Sequence, residues 1–237
     1  MRNQVTPGNL ASGALMIVAC LGPNGAPLLA GQAPAQEQQV AALKQAAAAN
    51  QAALRQYVWV QHTAIAFKGE EKSTKDEQVR YDAAGTLQKT PIAATSPDKK
   101  KGIRGKVVAN KVEELKAYMG SVVKLVEQYV PPAPADIQAA FQGGKVMTGK
   151  DAAGLTRMEF RNYKVPGDLM TLTFDLAAKQ IRRVEVSSAL EKDPVTATVV
   201  FQNLPDGTNY AALTTVNAVA KEVVVTIASN KHLKAAP

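Results

Sequence analysis

The chain has 237 residues, 46% hydrophobic and 20% charged, with a formal charge of +8. That balance is ordinary for a globular protein and fits one sizeable domain, or a domain with a processed leader. The single cysteine, Cys20, excludes an intrachain disulfide.

Arg2 is the only charged residue before Glu37. Between them, Leu10 to Ala19 forms an apolar core of signal-peptide length, too short to span a bilayer as a helix. Pro7, Gly8, Gly13, Pro23 and Gly25 oppose a folded N-terminal helix. Two processing routes stay open. Ile17-Val18-Ala19-Cys20 matches a bacterial lipobox, which would make Cys20 the acylated first residue of the mature chain. Ala33-Pro34-Ala35 is a small-x-small cleavage site that would leave Gln36 first. Either route exports the protein, to the periplasm or to a lipid anchor in the cell envelope. Residues 1–35 are therefore expected to be a leader, and 36–237 a single domain.

Gln36 to Gln56 is helical by its alanine content, with Val40, Leu43, Ala47, Leu54 and Val58 at helical spacing. Tyr57 to Phe67 turns β-branched and aromatic and reads as a long strand, with Trp59, Ile65 and Phe67 on one face. Lys68 to Glu77 reads as a charged turn region, Gln78 to Tyr81 as a second strand, and Thr86 to Ile92 as a third. Ala93 to Gly105 reads as a linker carrying Asp98-Lys99-Lys100-Lys101. A basic loop of this kind is usually a solvated surface. Then Val108, Val112, Leu115, Met119, Val122, Val126 and Tyr129 step by fours and threes along one helical stripe. Pro131-Pro132 ends that helix, and Pro134 to Phe141 forms a short second one. From Lys145 onward the chain is strand and turn. Met170, Leu172, Phe174 and Leu176 alternate with Thr171, Thr173 and Asp175, the period-2 pattern of a strand with one dry face. Val165-Pro166-Gly167-Asp168 and Leu204-Pro205-Asp206-Gly207-Thr208 are turns. The expected fold class is α+β: an open, curved antiparallel sheet, a half-barrel, wrapped over an N-terminal helix and a central amphipathic helix pair. A sheet with one dry face needs that cover.

The sequence supplies little chemistry. The histidines are His62, mid-strand, and His232, near the C-terminal end. No His-Glu-x-x-His, cysteine pair or Gly-x-Ser-x-Gly elbow occurs, so neither a metal, a cofactor nor a catalytic residue is assigned. Cations and aromatics are not interleaved as in single-strand binders, so no nucleic-acid partner is expected.

Leu54-Arg55-Gln56-Tyr57-Val58-Trp59-Val60-Gln61 runs through an aromatic strand toward Lys68-Gly69-Glu70. With the two later turns and the order of elements over 36–231, this resembles the LolA/LolB-like superfamily, the lipoprotein carriers of the bacterial envelope. It looks nearest to their uncharacterised exported relatives. The resemblance implies a half-barrel around helices, an apolar cavity for acyl chains, and Arg55 as a candidate lid residue. The expected lining is Trp59, Ile65, Phe67, Met119, Val122, Met158, Phe160, Leu172 and Phe174. The implied partner is a lipid or a lipoprotein acyl chain, close to the outer membrane, and the protein is expected to be a monomer. The competing readings are an envelope hydrolase that recruits His62, and a scaffold that meets anionic surfaces through Lys99 to Lys106. The plainest alternative is that the lining residues pack as an ordinary core.

Overall fold

The computed structural model describes residues 41, 45–95 and 103–235. The leader, including Cys20 and both cleavage sites, and the lysine run at 99–101 lie outside the described residues. A helix, α1, is described over 45–54. Three strands follow: β1 (Tyr57–Phe67), β2 (Glu70–Tyr81) and β3 (Leu87–Thr95). Then come α2 (Ile103–Glu127) and α3 (Pro134–Gln142). The remaining strands are β4 (Val146–Lys150), β5 (Thr156–Arg161), β6 (Leu169–Asp175), β7 (Gln180–Leu190), β8 (Asp193–Asn203), β9 (Asn209–Ala218) and β10 (Val223–Lys234).

All strands join one 10-stranded sheet in the order β3-β2-β1-β10-β9-β8-β7-β6-β5-β4. Every neighbouring pair is antiparallel. The sheet is open, with β3 and β4 as its edges. Hairpins make every neighbour but one. The exception is β1 on β10, which joins the first strand to the last across the chain.

One face of the sheet carries the core. Met158, Leu172, Val184 and Val199 form a cross-strand row from β5 to β8, and Phe160, Met170, Val186 and Ala197 form the next. Met119, Val122 and Val126 of α2, Tyr129 just beyond its end, and Ile137 and Ala140 of α3 belong to the same cluster. The apolar stripe of the long helix thus covers the dry face, which is the job its spacing predicts. We call this face inner. A second cluster, Tyr57, Trp59 and Val79 with Tyr81 and Leu204 packed on it, sits where β1 begins.

Two segments differ from expectation. Lys68 to Glu77 is not a turn region. The turn is Lys68-Gly69 alone, both at positive φ (55° and 77°), and β2 begins at Glu70. The charges misled because they occupy both faces of a strand. Several of them meet partners: Lys72 with Glu70, Lys75 with Glu77, and Asp76 with His62. Backbone ladders to β1 and β3 hold the strand regardless of its side chains. Likewise β3 runs on to Thr95, into the expected linker, and α2 starts at Ile103.

Candidate functional site: the inner face beside β1

Eight of the nine expected lining residues share one cluster; Trp59 is the exception. Phe160 and Val122 are fully buried, and Met119, Met158, Leu172 and Phe174 nearly so. Their side chains are buried between sheet and helices. Ile65 and Phe67 differ. They pack on the cluster but stay half-buried, at the margin where β1 meets β10. Opposite them on β10 stand Val225 and Val223, with Ile227 beside Thr63.

The inner face of β1 and β2 changes character along its length. Trp59 pairs with Val79, Gln61 with Glu77, Thr63 with Lys75, and Ile65 with Ser73. An apolar patch at one end therefore passes through a polar band to the Ile65/Phe67 margin. The band holds a Lys75–Glu77 ion pair, and Glu77 is itself buried. Sequence reading placed Lys75 in a turn and missed it. The missed signal was alternation: Ser73, Lys75, Glu77, Val79 and Tyr81 step by two.

Trp59 anchors an aromatic group instead. Its ring stacks on His232 at 5.7 Å with a 14° interplanar angle, and Tyr81 lies 5.9 Å away. Tyr210 approaches His232 at 4.1 Å. Burial pushes the His232 pKa down, favouring the neutral ring. Tyr57 donates to Asp206 of the β8–β9 turn at 2.6 Å, and Lys234 pairs with the same carboxylate at 3.3 Å. The Tyr57 hydroxyl first, then the backbone N–H and hydroxyl of Thr208, with Lys234 adding least, hold the Asp206 carboxyl well below the usual range. Asn50 of α1 bonds both ways to the backbone of Asn209, at 2.7 Å each. This corner is tied together by directed bonds. Arg55, the candidate lid residue, lies against Gly85 in the β2–β3 turn.

His62 Nδ1 lies 2.6 Å from Asp76 Oδ1. The two side chains are 43% and 39% exposed and alternate away from Gln61 and Glu77, onto the solvated outer face. Among the described residues, no group of three or more His, Cys, Asp or Glu could hold a metal ion. No helix among them is long and apolar enough to cross a membrane.

No family model and no curated protein matches the sequence. Two solved structures are similar to the chain. One is a DUF1329 family protein from Desulfovibrio piger, 8% identical over 85% of this chain and 92% of that one, with a TM-score of 0.39. The other is a domain from Vibrio parahaemolyticus named for outer membrane lipoprotein sorting, 12% identical over 83% and 92%, with a TM-score of 0.37.

Proposed function

We propose that this chain is a non-enzymatic, exported envelope protein that binds an amphiphile on the inner face of its sheet. The observation that carries this reading is the pairing of a half-buried apolar margin, Ile65 and Phe67, with the Lys75–Glu77 polar band on the same face. An acyl chain would lie along Ile65, Phe67 and Ile227, and its polar end would meet Lys75 and Gln61. The filled cluster of Met119, Val122, Met158, Phe160, Leu172 and Phe174 supplies the wall against which that chain packs. On this reading residues 36–237 are one domain, Cys20 is the lipidation candidate, and the protein works as a monomer near the outer membrane.

The test uses the full chain expressed in a bacterium with its own leader. Mass spectrometry of the purified protein reads the mature N-terminus and any lipid released on denaturation. Titration with a fluorescent stearate analogue then reads binding. Phe67→Asp should weaken that binding at least tenfold, because a charge at this margin opposes an apolar chain. Ala64→Asp, which alternates to the outer face, should leave it unchanged. If Phe67→Asp binds the probe like the parent protein, the reading fails.

A second reading, an envelope hydrolase, draws on the 2.6 Å bond that orients His62 on Asp76. Any ester hydrolysis that survives His62→Ala intact removes it.

A further inference from the structure

The outer face, opposite the helices, carries a cleft that the inner-face reading does not use. Register places Arg157 of β5, Thr173 of β6 and Arg183 of β7 in one cross-strand row. Adjacent strands lie about 5 Å apart, so the arginine backbones stand about 10 Å from each other with the threonine between them. Thr173 is buried at the floor, and the guanidinium side chains are 44% and 49% exposed above it. A register shift between Thr173 and Phe174 adds a residue on the β7 side, and Arg182 stands there, next to Arg183. Lys150 and the Asp151–Leu155 turn close one side. The resulting cavity is about 600 Å³, within the usual range for a small-ligand site.

The lining carries four cations, Lys150, Arg157, Arg182 and Arg183, against the carboxylates Asp151 and Glu185. Asp151 is occupied by its own turn, since its Oδ1 accepts from the N–H of Ala153 at 2.9 Å and of Leu155 at 2.8 Å. Arg182 spends one nitrogen on Asp175 at 2.9 Å. Arg157 meets Glu159 through Nη2 at 3.0 Å, and Arg183 meets Glu185 through Nη1 at 3.3 Å. In each of these pairs one guanidinium nitrogen makes the contact. A guanidinium has five N–H donors, so most remain for a ligand. Arginine forks match carboxylate and phosphate oxygens alike, and two of them flanking a hydroxyl, with Arg182 and Lys150 beside them, favour the more highly charged phosphate.

We propose that the outer face of β5–β7 binds a phosphate ester through Arg157 and Arg183, with Thr173 at the floor. The chemistry is shared by a soluble sugar or glycerol phosphate and by a phospholipid headgroup.

The test is calorimetric titration of the full-length protein with glycerol 3-phosphate and with inorganic phosphate at low salt. Co-sedimentation with phosphatidylglycerol vesicles, against phosphatidylcholine vesicles, runs in parallel. Binding in at least one arm is expected, weakened tenfold or more in an Arg157→Gln/Arg183→Gln double variant. Arg80→Gln, an exposed charge on β2, should leave it within twofold. Arginine-dependent binding of the free ester alone identifies a soluble ligand, and arginine-dependent vesicle binding identifies a headgroup. The proposal is overturned by no binding in any arm, by binding indifferent to the double variant, or by an equal loss in Arg80→Gln. Both arginines are solvated surface residues outside the apolar core, so the variants are expected to fold. Matching far-ultraviolet dichroism checks this.

Discussion

Removing one hydroxyl, in Tyr129→Phe, tests how the long helix is fastened to the sheet. Tyr129 closes the α2 stripe and is fully buried. Its hydroxyl donates to Asp168 Oδ2 at 2.6 Å and lies 3.1 Å from Ser188 Oγ. Asp168, also buried, sits at the mouth of the β5–β6 turn. Its Oδ2 accepts from the backbone N–H of Lys164 at 2.9 Å and of Val165 at 3.0 Å, and its Oδ1 from that of Tyr163 at 2.6 Å. One carboxylate therefore organises the turn and receives the helix. The variant keeps the ring and its packing. It leaves three backbone donors on the carboxylate, so the charge is not abandoned. What is lost is one hydrogen bond to a charged group, worth about 1.5–3 kcal/mol, and we expect about 2. At this chain size that lowers Tm by roughly 4–8 °C. Asp168→Ala removes the acceptor for all four donors and should cost about 4 kcal/mol. The assay is urea unfolding followed by far-ultraviolet dichroism and by the fluorescence of Trp59, the single tryptophan. Trp59 lies in the other cluster, so coincident curves report one cooperative unit. A double-mutant cycle should give a Tyr129–Asp168 coupling of about 1 kcal/mol or more. A Tyr129→Phe cost below about 0.5 kcal/mol, or a coupling near zero, refutes the fastening argument.

Burial pushes the hydroxyls of Tyr129 and Tyr163 up to about 12, helped by Asp168 and Asp136 respectively. The native state thus favours the neutral phenols: their stabilisation is complete below about pH 10, the unfolded value, and is lost as pH rises toward 12. A urea midpoint that stays level from about pH 9.5 to 11.5 contradicts this. Val79 and Val122 are both fully buried, and truncation to Ala should cost about 2–3 kcal/mol in each. The helix position should lose less, since alanine regains helix propensity there and forfeits strand propensity at Val79; the reverse order in urea midpoints would count against it. Gly85 has φ +80°, and a Cβ there would lie 2.4 Å from Arg55 Nη2. Gly85→Ala should cost about 1–2 kcal/mol, chiefly from the left-handed backbone because the Arg55 tip can swing aside. A neutral or stabilising midpoint shift would show the turn adapting.

Local periodicity carried much of this fold. Strict alternation put Met170, Leu172 and Phe174 on the core face, and the fours and threes of α2, carried just past its end, put Met119, Val122, Val126 and Tyr129 in the same cluster. What stayed illegible was of two kinds. One was β2, whose residues from Glu70 to Asp76 have no dry face; an alternation emerges only where Val79 and Tyr81 extend it, and backbone pairing to β1, joined by β3 from Thr74 onward, sets the rest. The other was long-range pairing. Nothing in Tyr57 to Phe67 announces that it lies beside Val223 to Lys234, and Asp168 looked like a turn residue because its partner Tyr129 is 39 positions away. The expected lining residues were legible as a set sharing a face. Which of them stand at the margin was not, because Ile65 and Phe67 differ from Phe160 only in what packs above them.

The long-range pairing also gives the inner-face site its place. The β9–β10 ladder runs from Val223 opposite Ala218 to Ala228 opposite Leu213. Beyond it, β10 continues on β1 to Lys234, while β9 and its turn reach Tyr57, His232 and Lys234 through side chains. That ladder divides the single sheet into a β4–β9 block and a β3-β2-β1-β10 block. The α2–α3 core sits mainly on the first block and is closed by well-packed side chains. Ile65, Phe67 and Ile227 belong to the second block, just beside the seam. An apolar chain arriving there would displace few native contacts, whereas one driven between α2 and β6 would have to open fully buried packing. On the proposed reading, the margin at β1 is the economical place for an amphiphile, with the buried cluster behind it as its wall.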